Sequence, residues 1–162
     1  IPDETCQFYT ASNPDSPTCS AMNVCKTCHP VSGNFSPGVC EPVLKFPNYK
    51  ASQVGNLDDP DKIKAEVYAR GPVAATMYVT SRFENYQSGI YSEDVGPNPP
   101  LNHEVSIVGF GTNGSEDYWI VRNSWGDAWG EHGFFYITTD VDKNLGITTN
   151  CDFAVPDTSS LE

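Results

Sequence analysis

Two stretches of this sequence bring together residue types that can work on a thiol. They are Leu101-Asn102-His103-Glu104-Val105 and Arg122-Asn123-Ser124-Trp125-Gly126-Asp127-Ala128-Trp129-Gly130-Glu131-His132-Gly133. An imidazole that takes a proton from sulfur must keep one ring nitrogen toward it. A neutral amide on the other nitrogen fixes the tautomer and the ring orientation without forcing a charge. A His leading into one strand and an Asn ending the next can face each other across a hairpin, so His103 and Asn123 are the candidate pair. An indole two residues beyond the Asn, as Trp125 stands to Asn123, can lie over that hydrogen bond and exclude water, which strengthens it. Trp129, spaced from Trp125 by glycine, is the supporting residue of the same loop.

Other motifs look chemical and are read as structural. Gly109-Phe110-Gly111-Thr112-Asn113-Gly114 has the spacing of a dinucleotide loop, but a strand-like Glu116-Asp117-Tyr118-Trp119-Ile120-Val121 follows where a helix would have to start. It is predicted to be a hairpin turn. Cys25-Lys26-Thr27-Cys28-His29 matches a haem-attachment pattern, yet further cysteines lie close by, and the two thiols are expected in two different disulfides, with His29 an ordinary surface residue. His103-Glu104-Val105-Ser106-Ile107 lacks the second histidine of a zinc-binding helix and reads as strand. No serine stands in a Gly-x-Ser-x-Gly elbow. No metal and no cofactor are expected.

The elements that must position these residues follow from pattern and punctuation. Residues 1–42 are rich in Pro, Ser, Asn and Cys, and are read as disulfide-stapled loops with a helical turn between Cys19 and Val24. Residues 43–56 alternate as a strand would. A helix follows: Asp59 is the N-cap, Pro60 the first helical residue, Ile63 and Val67 share a face, and Gly71-Pro72 ends it. Val73–Val79, 89–91, 104–110, 117–121 and 133–138 read as strands. One domain is expected over 1–162, with a loop segment at 1–42, a β-rich part at 43–155 and a tail at 156–162; residues 139–162 show little pattern. The class is α+β, an antiparallel β-barrel or sheet with one main helix.

Composition narrows the partners. The net charge of −12 and the absence of clustered Lys or Arg argue against nucleic acid. No apolar run approaches the roughly 20 residues of a membrane helix. Five of the six cysteines fall within the first 40 residues, which suggests an oxidising compartment. The sequons at Asn34 and Asn113 agree with passage through the secretory pathway, and the lysosome or the extracellular space is the expected location. The chain opens Ile1-Pro2-Asp3 without an initiator Met, and is read as a mature or excised piece.

At its two motifs the chain resembles the papain family of cysteine peptidases, whose pattern is Asn or Asp, His, then Ala or Val, and Val before one strand, with Asn-Ser-Trp-Gly-x-x-Trp-Gly-x-x-Gly after the next. The second motif matches at every fixed position; the first departs only at Glu104. Gly71-Pro72-Val73 is similar to another landmark of the family, and the likeness runs from Ile1 to about Phe153. The resemblance implies the right-hand, β-rich domain of a papain-like fold, hydrolysis of peptide bonds in peptide or protein substrates, His103 as general base and Asn123 as its orienting residue. It also implies a carboxypeptidase branch of the family. The family's Cys-Gly-Ser-Cys-Trp nucleophile motif and its oxyanion-hole Gln find no counterpart in the 162 residues. The expected partner is therefore the N-terminal domain of the same peptidase, carrying the nucleophilic Cys, and the chain by itself is expected to be inactive. The rival reading is a non-catalytic interaction or antigenic module that keeps His103 and Asn123 as relics.

Family likeness further implies the bridges Cys6–Cys25 and Cys28–Cys40. Cys151 would meet a cysteine after the Gly-Pro segment, where this chain has Ala75, so Cys151 and Cys19 are expected to be unpaired or paired with each other. Peptide mapping without reductant is expected to recover Cys6–Cys25 and Cys28–Cys40 peptides, and recovery of a Cys6–Cys19 peptide would break the scheme.

Overall fold

A computed structural model describes residues 20–29, 39–46 and 49–159. The chain divides into two units, residues 1–52 with 156–162, and residues 53–155. Cys6, Cys19 and Asn34 lie outside the described residues.

In the first unit Ser20 caps a single-turn helix, α1 (Ala21–Val24), its hydroxyl accepting the Asn23 N–H at 3.3 Å. Strands β1 (Lys26–His29) and β2 (Val39–Pro42) pair antiparallel, with Cys28 directly opposite Cys40. These two cysteines form a disulfide, and Cys25 is disulfide-bonded as well. Both thiols of the haem-like motif are consumed as cystine sulfurs, and His29 is an exposed side chain 3.5 Å from Glu41. Val43 continues past β2 through one hydrogen bond, from its N–H to the Cys25 carbonyl, without becoming strand.

The strand expected over 43–56 is β3 (Lys50–Leu57) alone, and its Val54 is exposed. Val43 and Phe46 are only half-buried and Leu44 is exposed, so the apolar alternation there does not line a buried face. The helix forms as read. In α2 (Pro60–Arg70), the Asp59 carboxylate accepts the N–H groups of Asp61 and Lys62, both at 3.0 Å. Ile63 and Val67 are buried on the inner face, and Gly71 leaves the helix at a positive φ of 102°. A salt bridge from Arg70 to Glu66, one turn back, holds the Glu66 carboxyl below the usual carboxylate range.

Six more strands and one short helix follow: β4 (Val73–Met77), α3 (Ser81–Glu84), β5 (Ile90–Tyr91), β6 (His103–Asn113), β7 (Glu116–Arg122), β8 (Phe134–Thr138) and β9 (Cys151–Asp157). With β3 they form one open sheet in the order β3-β9-β4-β6-β7-β8-β5. The pairs β4–β6, β4–β9, β6–β7 and β7–β8 are antiparallel, whereas β5 joins β8 in parallel. Alternation places Val73, Ala75, Met77, Val105, Ile107, Trp119, Val121, Phe135 and Ile137 on the buried face, where α2 packs against β4 and β6. The glycine-rich motif is a hairpin: Asn113 pairs with Glu116, and Gly114 alone of the two turn residues has a positive φ, 64°, as a type II′ turn requires.

Strand β9 was not foreseen in the weakly patterned tail. Only Cys151 of its seven residues is fully buried, so the strand is specified by its ladder to β4, with little hydrophobic alternation to advertise it. Among the described residues no three His, Cys, Asp or Glu side chains gather as a metal would need, and no helix is long and apolar enough to cross a membrane.

Cys151 is a free thiol, fully buried, opposite Ala75 in the β4–β9 register, with its sulfur 3.2 Å from the Ile147 carbonyl. Burial, reinforced by the charges of Asp152 and Glu104, raises its pKa from 9.0 to about 12. Because the folded value lies above the unfolded one, the neutral thiol's contribution to stability is whole below pH 9.0 and is lost as pH rises toward 12. Iodoacetamide at pH 8 is expected to leave Cys151 unmodified in the folded chain and to alkylate it after denaturation, as read by peptide mass.

Candidate functional site

Strand ends bring the two motifs together. His103 is the first residue of β6 and shares the inward parity of Val105 and Ile107. It is opposite Met77 on one side, where the Asn102 N–H reaches the Met77 carbonyl at 3.0 Å. On the other side Ser106 pairs with Arg122, so the register carried one step on puts Asn123 opposite Val105 and diagonal to His103. The Asn123 backbone N–H is held by the Gly133 carbonyl at 2.9 Å, which folds the 124–133 loop back on the strand.

The side chains meet at 2.8 Å, His103 Nε2 to Asn123 Oδ1. The same Oδ1 accepts the Ser124 backbone N–H at 2.8 Å. A backbone N–H needs an acceptor, so this atom is the amide oxygen, and the imidazole must carry its proton on Nε2 to donate to it. Nδ1 is the ring nitrogen left outside this bond, the one through which the imidazole can exchange a proton with a thiol. Asn123 is buried, and among the described residues its Nδ2 has no hydrogen-bond partner. The amide is held by its oxygen, between the ring N–H and the Ser124 N–H, in the orientation that serves the imidazole.

Trp125 covers the pair. Its ring centroid lies 5.0 Å from that of His103, with the planes tilted by 32°. Trp129 meets Trp125 edge-on at 4.9 Å and donates its Nε1–H to the Glu84 carbonyl at 2.8 Å. Beneath both indoles is Phe83, fully buried, at 6.0 Å from Trp125 and 5.4 Å from Trp129. Ring contacts at these separations add about 0.5–1.5 kcal/mol each beyond area burial.

The loop that presents Trp125 is fixed at its base by Glu131, whose Oε1 accepts the Gly89 N–H at 2.8 Å and lies 2.9 Å from the Tyr86 hydroxyl. Burial, with the Glu131 carboxylate beside it, pushes the Tyr86 phenol well above its ordinary range, so Tyr86 stays a neutral donor. Asn102, the other half of the His motif, ties in from below: its Oδ1 accepts the Val79 N–H at 2.8 Å.

Of the residues singled out from sequence, His103, Asn123, Trp125 and Trp129 come together in one place, and Cys28 and Cys40 in another. Asn113 is exposed at the far end of β6. Phe83, Tyr86, Glu131 and Asn102 were not assigned a part; the N-cap Thr80 ahead of Phe83 is the signal that marked a helix start there.

A family model described as papain family cysteine protease matches residues 2–155. Cathepsin Z of Onchocerca volvulus is 37% identical over 164 residues, covering 96% of this chain and 50% of that protein. A gut-specific cysteine proteinase of Caenorhabditis elegans is 47% identical over 75 residues, 46% of this chain and 22% of its own. Among solved structures, the digestive procathepsin L2 proteinase of Tenebrio molitor larval midgut matches with a TM-score of 0.60 at 31% identity, over 65% of this chain and 34% of that one. The bromelain protease of Ananas comosus, in complex with the E64 inhibitor, matches with a TM-score of 0.57 at 27% identity, over 65% and 50%. The chain spans half the length of the cathepsin Z and less of the gut proteinase.

Gly130 is the glycine on which the loop turns. Its φ is 56°, and a Cβ there would sit 2.6 Å from the Phe134 carbonyl oxygen, a backbone atom that cannot swing aside. Gly130→Ala is expected to destabilise the fold by about 1–3 kcal/mol and to lower Tm accordingly, whereas Gly126→Ala, with positive φ but open space around it, is expected to cost less.

Proposed function

This chain belongs to the papain family of cysteine proteases, and we propose that it is the His- and Asn-bearing half of a peptidase of the cathepsin Z kind (also called cathepsin X). On this reading the thiol comes from another stretch of polypeptide, the N-terminal domain of the parent enzyme, and the chain alone is inactive. The observation that carries the proposal is the hydrogen bond from His103 Nε2–H to Asn123 Oδ1, which leaves Nδ1 as the ring nitrogen outside that bond, with the Trp125 ring 5.0 Å from the imidazole.

The chemistry follows from that tautomer. Nδ1 takes the proton of an apposed thiol, giving a thiolate beside an imidazolium. The thiolate attacks the peptide carbonyl carbon, and the imidazolium returns its proton to the leaving amine as the C–N bond breaks. A water then gives its proton to Nδ1 and attacks the thioester, releasing the acid and regenerating the thiol. Asn123 remains neutral throughout and keeps the ring from rotating. Trp125 keeps bulk water off the Nε2–H bond.

The cathepsin Z likeness, which spans nearly the whole chain, supports removal of single residues from peptide C-termini in a lysosomal or secreted setting. The sequon at the exposed Asn113 supports a glycoprotein. An acidic lumen suits a chain of net charge −12, whose self-repulsion falls as carboxylates protonate.

The purified chain is expected to show no turnover of a dipeptide with a free C-terminus and no labelling by an epoxide thiol-protease inhibitor. The full-length product is expected to show both. In that product His103→Ala should lower kcat by roughly 10²–10⁴-fold. Turnover by this chain alone, abolished by a thiol-alkylating reagent, would sink the reading.

A further inference from the structure

Helix α3 is one turn long, yet the indoles above His103 rest on it: Phe83 packs under both, and the Glu84 carbonyl holds Trp129 Nε1–H. A single turn has no stability of its own, so its place must be set by whatever pins its start. That start is Thr80. Its hydroxyl accepts the Phe83 N–H at 3.1 Å and donates to Glu93 Oε2 at 2.7 Å. The Tyr91 hydroxyl donates to the same Glu93 oxygen.

Glu93 is itself fixed. Its N–H reaches the Lys143 carbonyl at 3.0 Å, and it forms a β-bridge with the wholly buried Asn144. On the opposite side the residue before Thr80 is tied to the residue before His103, through the Val79 N–H on Asn102 Oδ1. The turn into α3 thus has two tethers. One leads to the base of β6, the other to a carboxylate oxygen shared by two hydroxyls, a charge-assisted arrangement stronger than neutral bonds.

We propose that Glu93 is a positioning residue for the imidazole–amide pair, which sets the indole layer over His103 by fixing the cap of α3. This deepens the reading of His103 as the general base and rests on it for its functional meaning. Glu93 has no bond to His103, Asn123 or Trp125; it acts through Thr80, Phe83 and the two indoles. With the Glu93 tether gone, the start of α3 is held by Asn102 and the helix by the packing of Phe83 and the Trp129–Glu84 bond, so α3 can rock, Phe83 shifts beneath the indoles, and water reaches the His103–Asn123 bond.

The test uses the whole 162-residue chain, labelled with ¹⁵N, without substrate. The readout is solvent exchange of the His103 Nε2–H proton, compared with the backbone amides of Ile107 and Val121 in the core strands. Glu93→Ala is expected to speed the Nε2–H exchange by roughly tenfold or more while the core amides keep their protection. Glu93→Gln, whose amide oxygen can still accept both hydroxyls, is expected to restore slow exchange. If Glu93→Ala does not fold, Thr80→Val, which keeps the shape and removes the hydroxyl that joins Glu93 to α3, is expected to give the same selective acceleration. An unchanged Nε2–H rate, a rate that rises only in step with Ile107 and Val121, or a failure of Glu93→Gln to restore slow exchange overturns the proposal. Because no thiol or substrate enters the measurement, this result and the activity of the full-length product stand or fall separately.

Discussion

The second unit is organised around a single constraint, that one imidazole nitrogen must stay protonated and bonded while the other stays open. Asn123 Oδ1 imposes it by taking two donors, the His103 ring and the Ser124 backbone. A carboxylate in that place would bring a charge and favour a permanently protonated ring; the amide orients without doing so.

Around that bond, rigid elements do the holding. Both residues sit at strand ends with core parity, so their backbones are fixed by the β4–β6–β7 ladders. Only the indole lid comes from a loop, and that loop is turned by glycines, anchored by Glu131 and floored by Phe83. The aromatic layer is continuous from Tyr91 through Phe83 to Trp125, joining the buried core to the half-exposed ring of the lid. Packing that stabilises the unit therefore also locates the lid, and the two roles cannot be separated by looking at burial alone.

What the sequence made legible followed how strongly each feature was written in local chemistry. Asp59-Pro60 and Gly71-Pro72 fixed α2 to the residue, because caps and ring constraints act within a few positions. The strands beside His103 and Asn123 were found through their short apolar runs, and the pair itself through residue type and the glycine-spaced tryptophans. The extension of a strand back to residue 43 failed because its alternation was apolar without being buried: Leu44 and Val54 are among the most exposed apolar side chains. Strand β9 escaped for the opposite reason, being built on backbone pairing with one buried side chain. The parallel β5–β8 pair was invisible because its strands are far apart in the chain, and the Glu93–Thr80–Tyr91 knot because its three polar residues, though close in sequence, carry no periodic mark.

One pairing has a wider meaning. Cys151 faces Ala75 across β4 and β9, so the seam that closes this side of the sheet is made of backbone bonds and packing, with no sulfur link. Cys151 is the one cysteine between residues 53 and 155, and that unit therefore contains no internal bond a reductant can cut. The β1–β2 hairpin, by contrast, is stapled at Cys28–Cys40. The two units thus differ in what a reductant can cut: the hairpin carries a sulfur staple, whereas the unit that holds the imidazole and its amide partner relies on none of its own.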